Sequence, residues 1–186
     1  MNAPSRPPAR ERILNTAHEL FYQHGIRATG VDRIIAECGV TKVTFYRHFP
    51  GKHALILFFL EYRHQRWLAW FREALERHGG DIHALVPAMA GWFGEAEFRG
   101  CAFINTVGEL AEDLPEVVDI ARRHKEAMTT ILGELLPVTG NREELSGALA
   151  IAVDGAIVHA QYDASPGNAL AALARTVNAL VPPETP

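Results

Sequence analysis

The strongest constraint on the fold of this 186-residue chain comes from two short helical segments separated by a two-residue link. Thr29-Gly-Val-Asp32 has the spacing of a capping box, which predicts a helix that begins there and ends at Gly39. Thr41 then predicts the N-cap of a further helix, which runs into Phe49-Pro50. Two helices joined by so tight a turn, the first ending in Gly, are typical of a helix-turn-helix.

The remaining sequence has helical periodicity and no alternating strand pattern. Apolar residues between Ile13 and Phe21 predict a first helix that ends in a left-handed Gly25. A long fourth helix is predicted from Gly51 to His78. Five more are predicted over residues 81–95, with a kink at Pro87, and over 100–112, 115–136, 142–164 and 166–181. The sequence therefore predicts an all-α fold of about nine helices.

Charge is distributed unevenly along the chain. Residues 1–53 hold eight Lys/Arg and four Asp/Glu, a net charge of +4. Residues 54–186 hold the other ten Lys/Arg and eighteen Asp/Glu, a net charge of −8, which gives the total of −4. A basic head on an acidic body suggests a polyanion-binding end on a module that does not itself bind polyanions. The alternative is that a few charges fell unevenly on solvated faces.

Membrane, secreted and zinc-binding classes find no support in the sequence. The longest apolar run, Ala54–Leu60, is far shorter than the roughly 20 residues of a membrane helix. Residues 1–12 lack the apolar core of a signal peptide, so we expect a cytoplasmic protein with no membrane partner. Cys38 and Cys101 stand far apart and outside any Cys-x-x-Cys or Cys/His pattern, which predicts no disulfide framework and no metal site.

The third predicted helix has an apolar face and a cationic, aromatic face. Phe45 and Phe49 are spaced, together with Val40, to pack on the first two helices. The residues left to face outward are Lys42, Val43, Tyr46 and Arg47. Such cations pair with phosphates or guanine edges, hydroxyls bond phosphate oxygens, and a valine contacts a thymine methyl. The face predicts DNA binding, and a solvated surface helix with Tyr46 lying on the core is the alternative.

These residues resemble a known family. TGVDRIIAECGVTKVTFYRHFPGKHAL (residues 29–55) is similar to the DNA-binding domain of TetR-family transcriptional regulators, whose pattern includes T-L-Y-x-H-F-x-x-K. RGCAFINTVGELAEDLP (residues 99–115) resembles the Gly-Cys-x-x-x-Asn-x-x-x-Glu segment in the ligand-binding half of many members. The resemblance implies a helix-turn-helix domain over residues 1–50, joined by the long fourth helix to a helical ligand-binding and dimerisation domain over residues 51–186.

The resemblance also implies which residues contact DNA. It makes Lys42, Val43 and Thr44 the base-reading positions, and it makes Lys52 a phosphate contact in the first turn of the fourth helix. Gly51 stands where the family commonly has Ser or Asn, so that helix is expected to lack a side-chain cap there. The full expected set is Thr29, Thr41, Lys42, Val43, Thr44, Tyr46, Arg47, His48 and Lys52, with Thr29 also capping its helix.

From the family logic we expect a one-component regulator, a repressor that binds a near-palindromic operator as a homodimer through its last two helices. A small-molecule effector that enters the C-terminal domain would release the protein from DNA. It can do so only if it binds one spacing of the two recognition helices in the dimer more tightly than the other. The candidate effector contacts are Tyr62, Trp67, Trp92, Phe103, Asn105, Glu109, His124 and Met128. Each has core packing or a backbone hydrogen bond as its alternative. The acidic body favours a neutral or cationic effector that is aromatic or lipophilic.

An enzyme is the competing functional class. Glu61-Tyr-Arg-His64 is the Glu-x-x-His unit of carboxylate-bridged di-iron bundles, but those sites need two such units and two more inward Glu residues. The sequence has no second unit, no P-loop and no G-x-S-x-G, so neither catalysis nor a cofactor is predicted. A third class, a helical protein-interaction adaptor, leaves the cationic face of the third helix unexplained.

Overall fold

The computed structural model describes residues 7–138 and 140–182. Over these ranges the chain is helical and contains no β-strand, which confirms the predicted all-α fold. The helices are α1 (Ala9–His24), α2 (Val31–Cys38), α3 (Lys42–His48), α4 (Lys52–Arg77), α5 (Leu85–Phe93), α6 (Ala102–Leu110), α7 (Glu116–Glu134), α8 (Arg142–Tyr162) and α9 (Gly167–Leu180), with a 3-10 helix at Ile82–Ala84. None of these helices is long and apolar enough to cross a bilayer.

By packing, the chain divides into two compact units. Unit 1 contains the described residues up to Arg63 together with Ala102–Ile120. Unit 2 contains His64–Cys101 and the described residues from Ala121 onward. Both α4 and α7 therefore contribute residues to each unit, and α6 belongs to unit 1. The sequence-based domain boundary between residues 50 and 51 stays a prediction.

The core of unit 1 is formed where α1 packs on α2 and α3. The fully buried side chains include Ile13, Ile34 and Phe45, which come from these three helices. Arg12 of α1 satisfies the end of α2, because its Nε donates to the Cys38 carbonyl oxygen at 3.2 Å and its Nη2 donates to that of Gly39 at 3.2 Å. Gly39 is left-handed, with φ 63° and ψ 46°, and ends α2 as the sequence predicts.

The start of α2 differs from the predicted capping box. Its N-cap is Gly30, and among the described residues no side chain caps it. The prediction that Thr29 caps this helix is wrong, because the Thr29 hydroxyl instead donates to the Gly25 carbonyl oxygen at 2.8 Å and the residue is fully buried. Gly25 ends α1 with a positive φ of 83°, but its ψ of 155° lies outside the left-handed helical region expected there.

In unit 2, α9 packs against α8, α5 and the 3-10 helix. The predicted helix over residues 81–95 is a 3-10 turn followed by α5, and Asp81 caps that turn by accepting hydrogen bonds from the His83 and Ala84 amides. The kink predicted at Pro87 stays a prediction. Pro87 lies in the first turn of α5, a position where proline is tolerated.

The loop before α6 is pinned to α8. Gln161 of α8 donates from its side-chain nitrogen to the Arg99 carbonyl oxygen at 2.9 Å. Gly100 has φ 79°, and a Cβ at this position would overlap the Gln161 side chain. Glycine is therefore favoured there by the backbone conformation, and another residue would also have to displace the Gln161 side chain.

Candidate nucleic-acid interface

Helix α3 has the two faces that the sequence predicts. Phe45 and Phe49 are fully buried, and α3 packs against α1 and α2. On the opposite side Val43 is 77% exposed and Tyr46 is 45% exposed, and the exposed residues of this face also include Lys42 and Arg47. The exposed face combines cations with a hydroxyl and a small apolar side chain, which are the groups that contact phosphates and base edges, so this face is a candidate binding surface.

The beginning of α3 is held by a small hydroxyl network. Thr41 caps the helix as predicted, because its Oγ1 accepts from the Thr44 amide at 3.1 Å. The two threonine hydroxyls lie 2.9 Å apart, and Arg47 Nη2 donates to Thr44 Oγ1 at 3.2 Å. Thr44 and Arg47 are therefore oriented by neighbours on the same helix, which reduces the rotamer freedom lost when they contact a partner.

Lys42 forms a weak ion pair with an acid of α2. Its Nζ lies 3.5 Å from Asp32 Oδ1, and the two side chains are 66% and 87% exposed. Exposed pairs of this kind contribute little because water screens them, so Lys42 can exchange Asp32 for a phosphate or a base edge at small cost.

Several of the predicted DNA contacts are buried or half-buried. Thr29 is fully buried, so in this conformation it has no surface that can contact DNA, and we exclude it from the candidate interface. Lys52 is half-buried, and its Nζ donates to the Ile26 carbonyl oxygen at 2.6 Å. Burial lowers the pKa of the Lys52 ammonium, an effect that the nearby Glu109 opposes and Arg27 reinforces. His48 is also half-buried.

Two arginines of α1 were missed by the sequence reasoning. Arg12 satisfies the end of α2, as described above. Arg10 places its guanidinium over the Phe58 ring, 4.7 Å from the centroid, and 5.4 Å from that of Phe49. Both contacts join residues more than 25 positions apart, and no local spacing pattern relates the two ends of such a contact.

The predicted effector contacts divide between the two units. Trp67, Trp92 and His124 belong to unit 2, where the Trp67 ring centroid lies 5.6 Å from that of Trp92 and 5.0 Å from that of His124. Trp67 is 6% exposed, and its indole Nε1 is buried without a hydrogen-bond partner among the described residues. His124 and Met128 are buried as well. Trp70 and Phe98, which the sequence reasoning missed, extend this aromatic cluster.

The other four candidates belong to unit 1. Phe103 is buried and Asn105 is half-buried on α6. Tyr62 donates its hydroxyl to Asn15 Oδ1 at 3.1 Å. The Glu109 carboxylate accepts hydrogen bonds from the amides of Ile26 and Arg27, in the loop between α1 and α2.

In residues 7–138 and 140–182, no three His, Cys, Asp or Glu side chains come together in a group that could hold a metal ion. The Glu-x-x-His unit of α4 is thus not part of a described three-ligand cluster.

Sequence comparison relates the N-terminal part of the chain to known regulators. Residues 13–57, which run from α1 into α4, match the profile of the bacterial regulatory proteins of the tetR family. The HTH-type transcriptional regulator UidR of Escherichia coli K12 is 39% identical over 69 residues, which make up 37% of this chain. The match spans about a third of the relative's own length, 35%.

Structural comparison extends the relationship to both units. SCO4454, a TetR-family transcriptional regulator from Streptomyces coelicolor, superimposes with a TM-score of 0.83 at 30% identity, over 92% of this chain and 87% of that one. The chain belongs to the TetR family. A further match is the HTH-type transcriptional activator FasR of Mycolicibacterium smegmatis, 28% identical over 163 residues that cover 83% of this chain and 74% of FasR. Membership in the TetR family makes α2 and α3 the helix-turn-helix.

Proposed function

We propose that the protein regulates transcription by binding operator DNA as a homodimer, with α3 of each copy in the major groove of one half-site. The observation that carries the proposal is the two-faced α3, whose buried phenylalanines leave Lys42, Val43, Tyr46 and Arg47 exposed. In this arrangement Lys42, Val43 and Thr44 read base edges, whereas Thr41, Tyr46, Arg47 and His48 bind phosphates. Lys52 uses one of its three N–H donors on Ile26 and keeps the others for a phosphate.

The DNA-binding proposal is tested with lysine variants and an operator selected from a random DNA pool. Lys52→Ala should weaken binding to all sequences and reduce the log–log salt slope by about one unit, because one phosphate contact is lost. Lys42→Ala should change base preference by about 1–3 kcal/mol at one position per half-site. Fluorescence anisotropy over a salt series measures both effects.

A matched control is Arg77→Ala, which removes one exposed positive charge from unit 2. It should leave the salt slope and the base preference unchanged. If both lysine variants bind the selected operator as the wild type does, α3 is not the recognition helix.

The homodimer is supported by an exposed apolar face on α8. Ile151, Val158 and Tyr162 are 75%, 39% and 65% exposed, and their spacing of seven and four residues places them on one side of the helix. In the proposed homodimer, this face packs against the same face of a second copy, and the two copies are related by a two-fold axis. Two recognition helices related by that axis require a near-palindromic operator, which the random-pool selection would return.

The effector proposal rests on the aromatic cluster of unit 2. The Trp67 ring contacts those of Trp92 and His124, and its own buried indole N–H lacks a hydrogen-bond partner within the described part of the chain. An unsatisfied buried donor is costly, so a ligand with a hydrogen-bond acceptor gains by reaching it. The effector that fits is a neutral or cationic aromatic or lipophilic compound that carries such an acceptor, and its binding releases a repressor from DNA. FasR is named an activator, so reporter assays decide the sign of regulation.

A thermal-shift screen of a chemically mixed library, followed by operator-release assays, tests the effector class. Binding should quench tryptophan fluorescence and lower operator affinity by the same factor by which operator lowers ligand affinity, since coupling is reciprocal. Trp67→Phe keeps a ring but removes the N–H, and should weaken acceptor-bearing hits by about 5–30-fold. Trp70→Phe makes the same change in a neighbouring ring of the cluster whose N–H is not the buried, unpaired donor, so it should weaken these hits less than Trp67→Phe does. Releasing hits that are all carboxylates or phosphates would contradict the proposal.

The proposed function includes no catalytic step, cofactor or metal. The di-iron alternative rests on Glu61-Tyr-Arg-His64 alone. Elemental analysis of the purified protein addresses it, since stoichiometric iron or manganese would favour the enzyme over the regulator.

A further inference from the structure

The loop between α1 and α2 is held by the end of α6. Glu109 Oε1 accepts from the Ile26 amide at 3.3 Å, and Oε2 accepts from the Arg27 amide at 2.8 Å. Arg27 returns the contact, because its Nε donates to the Glu109 carbonyl oxygen at 2.7 Å and its Nη2 donates to Asp113 Oδ2 at 2.5 Å. We call this set, Ile26, Arg27, Glu109 and Asp113, the Glu109 clamp.

Glycine at position 25 allows the close approach that the clamp requires. A Cβ there would lie 3.3 Å from Glu109 Oε1, and the φ of 83° already disfavours other residues. The Gly25 carbonyl oxygen in turn accepts the hydroxyl proton of Thr29, directly before α2 begins. The position of the clamped loop therefore affects the position of the first residues of the helix-turn-helix.

The Glu109 clamp also contacts Lys52, in the first turn of α4. The peptide segment that Glu109 holds by its amides presents the Ile26 carbonyl oxygen to Lys52 Nζ at 2.6 Å. Glu109 therefore affects Lys52 in two ways, through the position of Ile26 and through its own negative charge. Moving the carboxylate away would free the loop and the ammonium together.

The interactions within the Glu109 clamp differ in strength. Arg27 and Asp113 are 61% and 53% exposed, so their ion pair is screened by water. Glu109 is half-buried and accepts two backbone amides, and hydrogen bonds to a charged acceptor are roughly twice as strong as neutral ones. Glu109 is therefore the member whose loss matters most.

The chain connections make this contact relevant to regulation. The segment Ala102–Ile120, which carries Glu109 and Asp113, is continuous at both of its ends with residues of unit 2. A displacement of that segment, whatever its origin, acts on the α1–α2 loop through the clamp.

We propose that Glu109 is a positioning residue for DNA binding, which couples α6 to the α1–α2 loop and to Lys52, and that it is not an effector contact. The inference rests on the proposed DNA-binding function. In the clamped state the loop, the start of α2 and Lys52 have one fixed arrangement, and release of the clamp lowers operator affinity by disordering all three.

Three variants separate geometry from charge. Glu109→Gln cannot accept both amides, because one side of its amide group is a donor. Glu109→Asp keeps the charge but is one methylene too short to reach the loop. Both should bind the selected operator about 10-fold more weakly, within the usual range of coupling effects. Glu112→Gln removes an equal charge from an exposed position three residues on, and should bind as the wild type does.

Hydrogen exchange of the intact protein shows whether the effect is coupling or instability. Operator should slow amide exchange in residues 102–110 of the wild type relative to α9, and it should not do so in the Glu109→Gln or Glu109→Asp variants. Residues 31–49 should stay protected in all of them.

Several outcomes would overturn the inference while leaving the DNA-binding proposal standing. Glu109→Asp binding like the wild type would make the effect purely electrostatic. Faster exchange throughout residues 31–49 would make the role of Glu109 merely structural, and equal losses in the Glu109→Gln and Glu112→Gln variants would remove any special role. If the wild type itself binds no selected DNA, the proposed function fails first.

Discussion

Phe45→Ala should lower the free energy of unfolding by about 3–5 kcal/mol and abolish operator binding. The Phe45 ring is fully buried, with its centroid 6.2 Å from that of Phe49 and 5.2 Å from that of Tyr46. Its removal leaves a cavity between α3 and the helices that α3 packs on, and the loss is a large share of the roughly 5–15 kcal/mol that stabilises a domain. Urea denaturation followed by circular dichroism measures the change.

The neighbouring Tyr46→Ala variant is the matched control. Tyr46 is 45% exposed, so its truncation should cost less than about 1 kcal/mol of stability. It should nevertheless weaken operator binding about 10-fold through the lost phosphate contact. Opposite results for these adjacent residues, a stable Phe45→Ala protein or an unfolded Tyr46→Ala protein, would mean that the faces of α3 are assigned the wrong way round.

Ile151→Glu should convert the homodimer into monomers and reduce operator affinity by at least about 100-fold. In the homodimer proposed above, the Ile151 side chain of each copy would be covered by the other copy, so the mutant interface would bury two unpaired carboxylates. A monomer also loses the second half-site and with it the gain from linked binding. Sedimentation equilibrium measures the oligomeric state, and anisotropy measures the affinity.

Val138→Glu is the control for this substitution. Val138 is 88% exposed and lies outside α8 and α9, so the same change should leave association and DNA binding unaltered. A dimeric Ile151→Glu protein would place the interface elsewhere. Monomer formation by both variants would point to general destabilisation, which the unfolding curve of each would reveal.

Helix boundaries were predicted closely where local signals act alone. The long helix expected over residues 51–78 is α4 at Lys52–Arg77, and the helix expected to begin at residue 142 is α8. Thr41 caps α3 as predicted because the hydroxyl and the amide that it accepts from are three residues apart. Such contacts need only the backbone turn itself, so composition and spacing are enough to foresee them.

Local signals misled where a tertiary contact was stronger. Thr29 has the spacing of a capping residue, yet the sharp turn at Gly25 brings a carbonyl oxygen within 2.8 Å of its hydroxyl and buries the residue. Nothing in the sequence indicated that the Glu109 carboxylate accepts from loop amides 82 and 83 residues away, because no local spacing relates them. Local sequence spacing predicts which groups a side chain can bind, but the packing of the helices decides which groups lie next to that side chain.

The sequence by itself determined the all-α fold, the tight turn between α2 and α3, and the apolar and cationic faces of α3, because helical periodicity and capping operate within a few residues. Only the tertiary structure decided that Lys52 is held by Ile26, that Glu109 clamps the loop between α1 and α2, and that the Trp67 indole N–H is left without a partner in the described chain. These features depend on how parts of the chain that are far apart in the sequence pack together. Their distances depend on how the helices pack, which local propensity does not encode.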